Sequence, residues 1–137
     1  MQVRLLDPRA KAPVRGSEGA AAYDLHVLET TDVARDGITQ LHTGIAVQIP
    51  EGHVGLIRDR SSYAIKGLGV EAGVIDQDYR GEVIVVMRNH TGRSIEVMGA
   101  DRVAQLLVMP VLQTAVEVVD ELDDTERGDG GFGSTGD

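Results

Sequence analysis

The sequence contains no cysteine and no tryptophan, and its 137 residues hold three tyrosines and a single phenylalanine, Phe132. Without cysteine there is no disulfide framework and no thiolate metal site, which points to a reducing, cytoplasmic setting. No run approaches the roughly 20 apolar residues that a membrane-spanning helix needs. The N-terminal stretch MQVRLLDPRAKAPVRG also lacks an apolar signal core. Basic residues are scarce, with 13 Lys and Arg against 22 Asp and Glu and a formal charge of −9. Nonspecific nucleic-acid binding depends on neutralising phosphates with Lys and Arg, so this balance argues against it. Neither nucleic acid nor membrane is expected as a partner. A small anionic ligand stays open, because a few arginines focused in a cleft can hold one.

What is present is 42% hydrophobic and suits one core in a single domain. Short runs rich in Val, Ile and Leu recur between Gly, Asp, Pro and Asn, and they read as strands near 2–6, 23–27, 44–49, 53–58, 82–88, 93–97, 103–109 and 115–119. Pro50-Glu51-Gly52 and Asn89-His90-Thr91-Gly92 are the turns between neighbouring runs. Only Ser61 to Lys66 reads as a short helix, with a serine able to cap its first amides. The expectation is an all-β single domain over 1–126, an antiparallel sandwich or barrel. A flexible, glycine-rich C-terminal arm over 127–137 follows it.

That arm, RGDGGFGSTGD, holds the only phenylalanine in a stretch too glycine-rich to fold by itself. Ordering it costs about 1–2 kcal/mol per residue with few side chains to offset the loss. Its GDGGFGST segment has the glycine spacing of a phosphate-binding P-loop but lacks the lysine, and only two residues follow Thr135. No helix can start there. The arm is either a disordered end or a lid ordered by a ligand.

Three further stretches carry chemistry. GVIDQDYRGEV, from Gly73 to Val83, puts Asp76 and Asp78 two apart on an extended segment, so both face one side. Its plain reading is a polar turn; its functional reading gives one carboxylate a water to activate while Tyr79 forms a wall. RDRSSYA, from Arg58 to Ala64, joins two arginines and two serines at the helix-like start, which suits a phosphate as well as a surface turn. Asp24 in AAAYDLHV sits between apolar neighbours, where it either pairs with an arginine or faces a metal. His26, His42, His53 and His90 have neither metal-ligand spacing nor a serine partner, and read as structural.

Taken together, AAAYDL, RSS, GVIDQDYRGEV, RVAQLLV and RGDGGFGSTG occur in the order and spacing of the five motifs of trimeric dUTPases. The chain therefore resembles the deoxyuridine triphosphate nucleotidohydrolases over essentially its whole length. The resemblance implies a jelly-roll-like (β-clip) domain, a homotrimer with active sites shared between subunits, and Mg²⁺-assisted hydrolysis of dUTP to dUMP and pyrophosphate. It implies that Asp76 activates the attacking water and that Tyr79 lies beneath the deoxyribose, rejecting a 2′-hydroxyl. Main-chain groups of Val70, Ala72, Gly73, Val74 and Ile75 would read uracil. Arg60, Ser61, Ser62 and Gln105 would hold the phosphates, and Asp24 would reach Mg²⁺ through a bound water. From the arm, Phe132 would stack on the base while Arg127, Gly133, Ser134 and Thr135 clasp the phosphates.

Three positions depart from the family pattern. Asp59 replaces a common proline and is expected to face solvent or pair with Arg58. Ala22 replaces a glycine, which asks for an ordinary backbone there. Glu71 enters the uracil hairpin, where its side chain could disturb the pocket. Arg102 contacts phosphate or orients Asp24. Two other readings remain beside the hydrolase: a dCTP deaminase or bifunctional deaminase of the same fold, and a non-catalytic nucleotide-binding signalling module.

Overall fold

A computed structural model describes residues 1–131. Ten strands and one short helix follow in order: β1 (Gln2–Leu5), β2 (Tyr23–His26), β3 (Thr31–Val33), β4 (Ile38–Gln48), β5 (His53–Asp59), α1 (Ser61–Ala64), β6 (Leu68–Glu71), β7 (Val74–Ile75), β8 (Glu82–Asn89), β9 (Ile95–Val97) and β10 (Arg102–Pro110). They form two four-stranded sheets, β1-β4-β8-β6 and β2-β10-β5-β7, with a small β3-β9 ribbon. All pairings are antiparallel. The fold is all-β, as the strand pattern indicates, and jelly-roll-like, as the resemblance implies.

Alternation explains how the sheets close on one core. In β8, Val83, Val85 and Met87 point inward while the residues between them stay partly exposed. In β10, Val103, Ala104 and Leu106 face the same interior, where they meet Leu25 and Val27 of the β2 segment and Ile57 of β5. Burial of each such side chain is worth about 1.5–3 kcal/mol. The buried side chains of Asn89 and Thr43 are satisfied. Asn89 donates to the Val33 and Arg93 carbonyls (3.0 and 2.8 Å) and accepts from Thr91, which fixes the turn after β8. Thr43 donates to the Val83 carbonyl.

The sequence pattern misplaced some elements. The strand expected over 44–49 begins at Ile38, and a register irregularity between His42 and Ala46 lets residues on both of its faces be buried. The short strands β3, β6 and β7 were not anticipated. The strand expected over 115–119 is absent: Val116 and Val118 are 92% and 94% exposed. Its alternating valines are strand-like, but a strand needs a partner, and this segment pairs with no described part of the chain. The helix stops at Ala64, and Arg60 rather than a serine occupies its N-cap, with no side-chain cap. No described helix is long and apolar enough to cross a membrane.

Glu82 pins the irregular part of β4. Its carboxylate accepts from the Gly44 amide (2.8 Å) and lies 2.9 Å from His42 Nδ1. Burial opposes its ionisation, but the hydrogen bonds from His42 and from the Gly44 and Thr43 amides prevail and hold it below its ordinary 4.5. A carboxyl depressed in the folded state adds stability above its unfolded value, and that contribution disappears as pH falls through the folded one. Urea unfolding of the native protein is therefore expected to weaken below about pH 4.5, and Glu82→Gln to flatten part of that acid slope. An unchanged slope in the variant would show that the Glu82 contacts carry no linkage.

Candidate active site

Two clefts contain the motif residues. The first lies where the chain leaves β6, crosses between the sheets and enters β7. Ala72 and Gly73 both take left-handed backbone conformations (φ 60° and 106°). The Gly73 carbonyl accepts from the Ile57 amide at 2.8 Å, and Gly55 and Leu56 pair with Ile75 and Val74. Any side chain at Gly73 would come within 3.0 Å of the Ile57 backbone, so the close approach requires glycine. This geometry exposes Ala72 and Val74 and delivers Asp76, itself exposed, to the rim of a cleft of about 220 Å³. Ile57, Ile84 and Val86 form its apolar wall, with Tyr79 and Glu82 beside Asp76.

Tyr79 is held from three directions. Its amide donates to the Asp76 carbonyl (3.2 Å), and its hydroxyl donates to the Glu82 carbonyl (2.9 Å). Its ring lies across Gly81, where a Cβ would stand 2.4 Å from the phenolic oxygen. Arg80 Nη1 closes the same turn by donating to the Gln77 and Tyr79 carbonyls (2.7 and 2.8 Å). Asp78 lies outside both clefts, in a wider depression shared with Asp76, His53 and Gln77.

The second cleft, about 570 Å³, is lined by Asp24, Arg60, Ser61, Ser62, Arg102 and Gln105 together with the small residues Gly16 and Ala20 to Ala22. Asp24, 8% exposed, is its anchor. One carboxylate oxygen meets Arg60 Nε at 2.9 Å and the other meets Arg102 Nη1 at 3.1 Å. Arg60 also donates to the Arg102 carbonyl (2.8 Å). Arg102 thus orients Asp24. Two guanidinium groups against one carboxylate leave a net positive corner with the exposed Ser61 and Ser62 hydroxyls beside it, a suitable place for an anion. Gln105 reaches the same side and donates through Nε2 to the Asp59 carbonyl (2.6 Å). Ala22 has no positive φ, the ordinary backbone expected there. Tyr63 fixes the helix behind the corner by donating to Asp101 (2.7 Å), and burial together with that bond pushes its phenol up to about 12.

The structure places Ala72 to Asp76 and Tyr79 in the first cleft and Asp24, Arg60 to Ser62 and Gln105 in the second, with no lining residue in common. Val70 lines neither; its amide donates to Asp59. Asp59 therefore departs from the expectation of solvent or Arg58, because a backbone donor satisfies its charge. Glu71 is drawn away by Arg88 Nε (2.7 Å). In the arm, Arg127 is exposed and donates to the Gly130 carbonyl (2.8 Å). Phe132, Gly133, Ser134 and Thr135 lie outside the described residues. Sequence reasoning overlooked Gly81, Glu82 and Tyr63. The signal for Gly81 and Glu82 was their place directly after Tyr79-Arg80 in the third motif. No group of three or more His, Asp or Glu that could cage a metal occurs among the described residues. His26 Nδ1 is buried without a partner, and burial lowers its pKa.

A sequence profile of the dUTPase family matches residues 8–136. The chain belongs to the dUTPase family. It is 47% identical over 135 residues to the deoxyuridine 5′-triphosphate nucleotidohydrolase of Paramecium bursaria Chlorella virus 1, covering 98% of this chain and 96% of that one. Among solved dUTPases, a point mutant from Staphylococcus bacteriophage 80alpha with dUpNHpp superposes with a TM-score of 0.91 at 29% identity, over 98% of this chain and 97% of that one. A mutant dUTPase from phage phi11 of S. aureus, described with a coordinated structural Mg(II) ion, gives a TM-score of 0.80 at 28% identity over 88% and 96% of the two chains.

Proposed function

We propose that this chain hydrolyses dUTP to dUMP and pyrophosphate, at sites assembled between copies of a homotrimer. The observation that carries the reading is the first cleft. There an exposed carboxylate, Asp76, stands beside Tyr79 and a left-handed main-chain bend, next to apolar side chains. A uracil ring fits such a slot, edge to main chain and face to apolar side chains. A base with the wrong donor pattern leaves buried groups unpaired and is rejected.

Asp76 takes a proton from the water that attacks the α-phosphorus, a contribution of about 10²–10⁴ in rate. Tyr79, fixed across Gly81, occupies the space a 2′-hydroxyl would need. Arg60, Ser61, Ser62 and Gln105 bind the phosphates in the second cleft. Asp24 Oδ2 accepts a hydrogen bond from Arg102 Nη1 and Oδ1 is ion-paired with Arg60 Nε, which leaves lone pairs that could accept from a metal-bound water. The donor set thus suits Mg²⁺ carried by the triphosphate and touched by Asp24 through water, and not a cage of protein ligands. When bound, the metal offsets charge on the phosphates as pyrophosphate leaves.

Support for sharing comes from the separation of the clefts and from the chain beyond β10. Met109, Val111, Leu112, Val116, Val118 and Leu122 are exposed in one chain and would be covered by neighbouring copies. The arm then crosses to a third copy, where Phe132 stacks on the base and Arg127, Gly133, Ser134 and Thr135 close on the phosphates.

The direct test is pyrophosphate release from dUTP compared with UTP, dTTP and dCTP, with and without magnesium. Turnover is expected to be far faster for dUTP than for the other three, and Asp76→Asn is expected to lower kcat by about 10²-fold or more while dUTP still binds. Ammonia release from dCTP would instead indicate a deaminase. Gly81→Ala is expected to push the Tyr79 ring off its seat and raise UTP turnover relative to dUTP by about tenfold. An unchanged ratio would show that Gly81 does not set the ring.

A further inference from the structure

Strand β6 is the outer strand of its sheet, paired to β8 on one side alone. In an antiparallel edge strand every second N–H points away from the sheet and needs a partner from elsewhere. For Val70 that partner is Asp59 Oδ1, at the end of β5 in the opposite sheet. The hydrogen bond is charge-assisted and crosses from one sheet to the other. Asp59 is a node in other respects. Its carbonyl accepts from Gln105, its backbone pairs with Ala104, and Arg60, the next residue, grips Asp24.

The segment from Val70 to Ile75 is therefore tied to β5 at both ends. At the far end the ties are main-chain: Gly73 carbonyl to Ile57 amide, and Ile75 opposite Gly55. At the near end the tie is a side chain, Asp59 to Val70. Glu71, between them, is drawn sideways to Arg88 and does not pull the bend toward β5. Only the near tie can be removed by a substitution that leaves the backbone intact.

We propose that Asp59 is a positioning residue for base recognition. Its carboxylate straps β6 to β5 and so sets the width of the slot formed by the bend at Ala72–Gly73. The proposal deepens the dUTPase reading and rests on it. Asp76 follows β7, which the main-chain ties hold independently, so the strap governs how well the base fits and not the chemistry at phosphorus. The strap also consumes the Val70 amide, leaving Ala72 to Val74 as the base-reading stretch.

The experiment compares wild type, Asp59→Ala and Asp59→Asn in full-length protein, with kcat and KM measured for dUTP, dCTP and dTTP and thermal unfolding as a control for folding. Asparagine keeps an acceptor where the carboxylate oxygen stood. Asp59→Ala is expected to raise KM for dUTP about tenfold with kcat within about threefold, and to narrow the preference for dUTP over dCTP about tenfold. Asp59→Asn is expected to restore both. Three results would overturn the inference: alanine with wild-type KM and selectivity, a loss confined to kcat, or asparagine as impaired as alanine. A wild-type chain that leaves dUTP intact overturns the functional reading itself and the inference with it. If Asp59→Ala does not fold, amide exchange at Val70 in the wild-type protein decides. Strong protection supports the strap, and exchange at the rate of an open sheet edge overturns it.

Discussion

The pairing of β5 with β10 holds both clefts in place. It runs from His53 opposite Pro110 to Asp59 opposite Ala104, and on its other edge β5 takes β7. Ile57 in its middle offers an amide to Gly73 and an apolar wall to the first cleft. Directly after its end, Arg60 turns into the second cleft to meet Asp24, which β10 holds opposite Gln105. One strand thus bears on both clefts. Rigid strands hold such groups more exactly than loops do.

The electrostatics follow from the same frame. A chain with a formal charge of −9 has to gather its positive charge locally to bind a polyanion. Asp24 gathers it. Almost fully buried, the carboxylate fixes two guanidinium groups at defined places and leaves one positive charge in excess, open to solvent beside Ser61 and Ser62. Breaking such a buried pair from the acidic side would strand two cations together, which is why a carboxylate can be tolerated in an anion site. The exposed Asp76, in the other cleft, has no such task.

Much of this was legible in the residues. The alternation in EVIVVMRN gave β8, and the apolar runs of RVAQLLV and HVGLIR gave β10 and β5. The resemblance to the dUTPase motifs implied that Asp24, Arg60 and Gln105 serve one phosphate site, and the three line one cleft. Other parts were hidden for physical reasons. In LGVE, glycine and glutamate mask a strand whose identity comes from its neighbour β8. TAVEVV shows the opposite error, since periodicity records which face wants burial but not whether a partner edge exists. Asp59 was misjudged because side-chain charge suggested an arginine, whereas the nearest unmet need was a backbone amide on an edge strand. The seat of Tyr79 depends on Gly81, and no pattern of hydrophobicity announces that a ring will lie on a glycine.

In the proposed assembly neither cleft acts alone, and each working site joins the Asp76 cleft of one copy to the Arg60 corner of another. Complementation measures this directly. Chains carrying Asp76→Asn and chains carrying Arg60→Ala, each inactive alone, are co-expressed in equal amounts and the mixed oligomers assayed with dUTP. Random assembly is predicted to recover about a quarter of wild-type turnover, because about that share of sites unites an intact Asp76 with an intact Arg60. A mixed population as inactive as its components would contradict the account.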